Sequence, residues 1–184
     1  MKIRTLKFNF LMNMLLTVSN FLFPLITFPY ISRVLSPIGT GKVAFAYSIV
    51  SYFSIFAAFG VSNYGIRACA QVRNDKENLS KTVQEILLIN MVLMSFVYIV
   101  YFLGVIFIPE LNAEKTLFLI SGLNILFTIV GVEWLYKGIE QYFYITIRSI
   151  IFKLIAFFLV FTCVKTEADY STYAFIIIFA TVGS

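Results

Sequence analysis

Lys153 is the residue whose type and position first raise a chemical question. It lies in the apolar run IIFKLIAFFLVF, 12 residues before Lys165, roughly 18 Å along a helix. If Lys165 marks the outer edge of a ~30 Å hydrocarbon core, the Lys153 ammonium stands near the midplane, too deep for its stem to carry it to the headgroups. A cation at that depth is costly and faces a cavity or a partner. One reading is therefore a water-filled cavity that accepts anions; the other is a span shifted along its axis so that Lys153 reaches the inner headgroups. Arg148, five residues nearer that side, has the easier exit and the same two readings. Glu133 and Lys137 stand four apart in the Glu-then-Lys order that favours an ion pair on one helix face. Such a pair would either tie an interface or gate a cavity, and Trp134 and Tyr136 beside it suit the aromatic belt of a membrane boundary.

Other chemistries are excluded by what is missing. The sequence has no histidine, which removes histidine acid/base catalysis and most zinc sites. Cys69 and Cys163 form no CxxC motif and sit in apolar surroundings that suit packing. Asp75 and Asp169 are the two aspartates, both in loops, and no DxD or HxxxD pattern offers a transferase its base or metal ligands. No GxxxxGK[ST] loop is present, so energy for any transport must come from an ion gradient or from consumption of the product. No enzyme activity, metal or cofactor is expected.

These residues are carried by a chain that is 60% hydrophobic and 12% charged, with a mean hydropathy of +0.92, against roughly 45–50% and 25% in soluble domains. The composition predicts an all-α integral membrane protein, and 184 residues allow one domain, 1–184, of about six spans. Apolar runs between charges place them at about 9–32, 43–66, 83–108, 116–136 and 144–164, with a sixth begun at about 173–184. The stretch Ser36-Pro37-Ile38-Gly39-Thr40-Gly41 reads as the turn between the first two spans. The loop from Arg67 to Lys81 reads as a helix extension followed by a cap-like Asn74-Asp75 turn.

Alternating the loops puts Lys2, Arg4, Lys7, Arg67, Arg73, Lys76, Lys81, Lys137, Arg148 and Lys153 on one side and Arg33, Lys42, Lys115 and Lys165 on the other. By the positive-inside rule the N-terminus is cytoplasmic. The net charge of +5 is thus a topology signal, and no nucleic-acid partner is expected. The first span carries Asn9, Asn13, Asn20, Pro24 and Pro29, a heavy polar load for a simple anchor, and the two prolines are candidate hinges. Arg33 at its outer end would bind headgroups or guard a cavity mouth. Gly60, Ser62, Asn63 and Gly65 in the second span would permit close helix packing.

Three elements carry a family resemblance. Pro29, Tyr30, Ile31, Arg33 and Leu35 match a Pro-Tyr-Ile-x-Arg-x-Leu pattern near the end of helix one. Tyr64, Gly65 and Arg67 match a Tyr-Gly-x-Arg element after helix two, and Glu133, Trp134, Leu135, Gly138 and Glu140 match a Glu/Asp-Trp-Leu/Phe-x-x-Gly-x-Glu element after helix four. In this order they resemble the bacterial polysaccharide flippases of the Wzx type, in the multidrug and oligosaccharidyl-lipid exporter superfamily. The resemblance implies two six-helix lobes around a cavity that opens alternately to each side of the bacterial cytoplasmic membrane, with this chain as the N-terminal lobe, its last helix truncated. It implies a substrate of oligosaccharide linked to undecaprenyl pyrophosphate, with O-antigen or capsule units as examples. Membrane lipids and a polysaccharide polymerase complex are the implied partners. The candidate cavity cations are then Arg33, Arg67, Arg148 and Lys153. Two other readings stay open: a cation or drug antiporter of the same superfamily, which would favour cavity carboxylates, and a non-transporting subunit of a polysaccharide assembly complex.

Overall fold

The computed structural model describes residues 6–58 and 60–183, which are helical throughout apart from short connections and contain no strand. Helix α1, Leu6–Val34, runs through both Pro24 and Pro29. Each proline lacks the N–H that would reach the carbonyl four residues back, so the ladder is weakened at Asn20 and Leu25. The expected turn over 36–41 is confined to Leu35 and Ser36. Ser36 takes a φ of 59°, and α2, Ser36–Ala58, starts at once. Pro37 is tolerated there because a first-turn N–H has no helical partner to lose.

The second span also ends differently. In place of one helix to residue 66, α2 stops at Ala58, Gly60 takes a φ of 75°, and α3, Val61–Val72, follows as a separate helix. One face of α3 buries Gly65 and Cys69 while Ser62, Asn63, Tyr64 and Arg67 are exposed. Helix α4, Lys76–Phe107, begins well before the expected residue 83 because Asp75 caps it, accepting from the backbone N–H groups of Glu77 and Asn78 at 3.0 and 3.2 Å. After the short α5, Pro109–Asn112, comes α6, Lys115–Val130. The expected span to residue 136 is interrupted at Gly131 and Val132, and the motif residues form the separate α7, Glu133–Gly138. Helix α8, Tyr142–Cys163, leads through a 3-10 turn at Glu167–Asp169 to α9, Tyr170–Val182.

Four helices, α1, α2, α4 and α8, are long and apolar enough to cross a membrane; α6 and α9 are apolar but have 16 and 13 residues. This is an all-α, multi-pass membrane chain. Lipid offers no hydrophobic drive between helices, so small residues and close fit decide their contacts. In the core shared by α2, α4, α6 and α9, Gly122 leaves room for the Tyr101 ring, whose hydroxyl donates to the Phe118 carbonyl at 2.6 Å. A second core joins α1, α8 and α9 through Ile31, Leu35, Ala156, Val160 and Ile176. A third sets Cys69, Ile86 and Trp134 between α3, α4 and α7.

Helices α1 and α8 run parallel in constant register. Thr146 Oγ1 donates to the Met12 carbonyl, Lys153 Nζ to Ser19 Oγ, and Tyr30 OH to the Val164 carbonyl, each pair separated by 134 residues. One end of the bundle gathers the α1–α2 corner, the α5–α6 connection and the start of α9: Lys42 is paired with Glu114, which also accepts from Tyr170 OH at 2.9 Å. The other end gathers α3 and α7, tied by Arg73 and Glu140 at 2.7 Å. Lys2 and Arg4, used in the orientation argument, and Ser184, at the end of the sixth expected span, lie outside the described residues.

Candidate functional site: a cavity between α1, α8 and α9

Between the α1–α8 pair and the α2–α9 side lies an open-sided cavity of about 720 Å³, walled by α1, α2, α7, α8 and α9. Its α1 wall combines the apolar Leu16, Phe23, Phe28 and Ile31 with a series Asn13, Thr17, Asn20, Pro24 and Thr27, spaced 4, 3, 4 and 3, which keeps the series on one face of a helix. Tyr47 from α2 and Tyr173 from α9 stand among the other wall residues. Glu133 and Lys137 enter from α7 and Lys153 from α8.

Lys153 is the charge at the middle. It stands eleven residues after Tyr142 and ten before Cys163 in the 22-residue α8, so about 15 Å of helix lies on either side. Its half-buried ammonium donates to Ser19 Oγ at 3.0 Å and to Asn20 Oδ1. Both acceptors are neutral; among the described residues no carboxylate lies within ion-pair distance of Lys153, and Glu133 is the carboxylate that acts on it through space. An ammonium has three N–H bonds, and two of them are directed to these α1 side chains. Across the cavity, Lys137 Nζ and Glu133 Oε1 form an ion pair at 3.0 Å. The wall therefore holds two cations and one carboxylate, a surplus of one positive charge.

The other sequence candidates lie elsewhere. Arg33 is exposed in the last turn of α1, two residues beyond the wall residue Ile31. Arg67 is exposed on α3, and the guanidinium of the half-buried Arg148 stands 5.8 Å from the centre of the Tyr144 ring; neither lines the cavity. Pro24 is part of the wall; Pro29 is exposed and does not line it, although Phe28 and Ile31 on either side do. Thr17, Thr27, Thr40, Tyr47, Tyr173 and Thr181 are wall residues that sequence reasoning did not single out. The signal for the α1 members was the 4-3-4-3 spacing, which Asn13 and Asn20 already outline.

Helix α7 is held by the motif residues themselves. A Cβ on Gly65 would come within 2.6 Å of the Trp134 ring, and one on Gly138 within 2.9 Å of both the Cys69 side chain and the Ile66 carbonyl. The Tyr-Gly-x-Arg and Glu-Trp-Leu elements are thus one joint, α3 against α7, and it sets Glu133 and Lys137 at the cavity. Outside the spans, the Glu114 carboxyl is held below its usual range chiefly by the hydrogen bond from Lys42, with burial opposing and Tyr170 assisting. Among the described residues no three His, Cys, Asp or Glu side chains gather as a metal site requires.

The sequence matches the family described as polysaccharide biosynthesis protein over residues 6–184. The chain belongs to that family. Two curated relatives carry the name "Putative O-antigen transporter". The one from Escherichia coli (strain K12) is 25% identical over 158 residues, covering 86% of this chain and 38% of the relative. The one from Shigella dysenteriae is 27% identical over 164 residues, covering 89% and 41%. The chain thus spans about two-fifths of the length of these relatives. No solved structure matches it.

Proposed function

We propose that this chain is the N-terminal lobe of a translocase that carries oligosaccharides linked to a polyprenyl pyrophosphate across the bacterial cytoplasmic membrane. The supporting observation is Lys153: a half-buried cation midway along a spanning helix, held by neutral oxygens in a cavity with surplus positive charge. An anionic, glycosylated head cannot enter hydrocarbon unaided, and a cation at that depth is costly unless a cavity or ligand receives it. Lys153 binds a phosphoryl oxygen by charge-assisted hydrogen bonds, the polar α1 stripe and the two tyrosines meet the glycan, and the open side lets the lipid tail stay in the bilayer. The cavity alternates between the two faces, with α1 bending at Pro24 and Pro29. The N-terminus is cytoplasmic. Arg33, Arg67 and Arg148, outside the wall in this conformation, guide the head at the two faces, and a polysaccharide polymerase complex receives the product.

The test is Lys153→Ala in the protein expressed from its own locus, scored for surface polysaccharide and for protein in the membrane. The expected result is loss of export at normal membrane abundance, with Arg33→Ala milder. Normal export with Lys153→Ala would remove the cavity from the mechanism.

A further inference from the structure

Glu133 and Lys137 raise a question that the translocation reading leaves open: a site for an anion already contains a carboxylate. Both side chains line the same cavity as Lys153 and are 37% and 32% exposed. An ion pair of that exposure is screened and weak, so an incoming oxyanion can replace the carboxylate. Their backbone cannot drift away. Helix α7 is seated by Trp134 against Gly65 and by Gly138 against Cys69 and the Ile66 carbonyl. Glu133 therefore releases Lys137 by turning its own side chain, without moving the helix.

We propose that Lys137 is a second anion ligand of this cavity and that Glu133 is a built-in competitor which occupies it until a diphosphate arrives. This rests on the reading of the cavity as an anion site. The chemistry is that of two phosphoryl groups for two ammoniums: Lys153, parked on Ser19 and Asn20, takes one, and Lys137, freed from Glu133, takes the other. A monophosphate satisfies Lys153 alone and gains little by displacing Glu133. The pair thus selects diphosphate over monophosphate esters, and it shields the second cation while the cavity is empty.

The experiment measures affinity of the full-length protein in phosphatidylcholine nanodiscs for farnesyl diphosphate, farnesyl monophosphate and inorganic pyrophosphate. Glu133→Gln removes the competitor and is expected to tighten farnesyl diphosphate binding three- to tenfold and the monophosphate less, because Glu133 pairs with Lys137 directly and acts on Lys153 only through space. Lys137→Gln is expected to weaken the diphosphate about tenfold, and in that background Glu133→Gln gives no gain. Inorganic pyrophosphate binding as tightly as the farnesyl ester assigns the site to the diphosphate head alone; weaker binding assigns it to the lipid-linked form. Both results support the proposal. Glu133→Gln that weakens or does not change diphosphate affinity overturns it, because a merely structural ion pair gives that result. Absence of diphosphate binding in the wild type would instead defeat the cavity reading beneath it.

Discussion

Replacing Gly65 by alanine tests the joint that holds α7 at the cavity. The added Cβ would lie 2.6 Å from Trp134 Cε3 and 2.9 Å from Cδ2, against an ordinary carbon contact of about 3.5–4.0 Å. One partner must therefore shift by about 1 Å, and Trp134 is itself buried in the cluster with Cys69 and Ile86. Overpacking of this kind costs about 1–3 kcal/mol, partly offset by the roughly 1 kcal/mol that alanine gains over glycine in a helix. Gly65→Ala is thus expected to lose up to about 2 kcal/mol. At the exposed Gly41 of α2 a Cβ meets nothing within 4 Å, so Gly41→Ala is expected to gain about 0.5–1 kcal/mol. Trp134→Leu removes the obstructing ring, so in that background Gly65→Ala should stabilise, a coupling of about 1–3 kcal/mol. The assay uses Cys69, buried in the same cluster. In a Cys163→Ser background, labelling of Cys69 by a thiol-reactive dye on heating reports loss of the joint. If Gly65→Ala and Gly41→Ala behave alike, or if Gly65→Ala and Trp134→Leu add without coupling, Trp134 does not pack on Gly65 and the α3–α7 joint is refuted.

Four further outcomes are expected. In folded protein a maleimide reagent labels the exposed Cys163 and spares Cys69; an impermeant reagent reaching Cys163, two residues before Lys165, from outside would support the cytoplasmic N-terminus. Asn20 is neutral and, unlike Glu133, does not compete for charge but holds the Lys153 ammonium at the cavity wall, so Asn20→Leu is expected to lower diphosphate affinity severalfold, measured by equilibrium binding, without lowering expression. Asp75 is held below the usual carboxylate range by Asn78, through its backbone and side chain, and by the Glu77 N–H; Asp169 is held there by the backbone of Lys165 and Thr166. Depressed folded-state values mean that both caps stabilise the fold above the ordinary carboxylate range near pH 4 and lose that contribution as pH falls through the depressed values; Asp75→Ala should flatten the acid side of a thermal-stability profile. Tyr170→Phe removes one bond to the Lys42–Glu114 pair and is expected to cost no more than about 1 kcal/mol in thermal unfolding.

Particular residues show which parts of this architecture composition and spacing can convey. The membrane class follows from composition, and the mid-helix place of Lys153 follows from its distance to Lys165, because helical rise converts residue number directly into depth. The i,i+4 spacing of Glu133 and Lys137 likewise carries their 3.0 Å pair. The breaks at Gly60 and Gly131 are only weakly marked in the sequence: Ser62 and Asn63 after the first are read as packing residues, and Glu133 after the second as the interfacial end of one span. The separate α3 and α7 that follow them meet at Gly65 and Trp134, a contact between segments far apart in sequence that local pattern does not convey. The turn at Ser36 was masked by Pro37, Gly39 and Gly41, which look like a loop and are used inside the first turns of α2. Charge alone also cannot say which face a residue occupies. Arg33 and Arg67 are as basic as Lys153 but are exposed away from the cavity, whereas the threonines of the α1 wall are inconspicuous in sequence and line it.

The most direct measurement is equilibrium binding of undecaprenyl pyrophosphate and of undecaprenol to the full-length protein in nanodiscs, wild type against Lys153→Gln. Wild type is expected to prefer the pyrophosphate at least tenfold over the alcohol, and Lys153→Gln to reduce this preference severalfold with alcohol binding unchanged. Equal preference in the two proteins would contradict the assignment of Lys153 as the ligand of the anionic head.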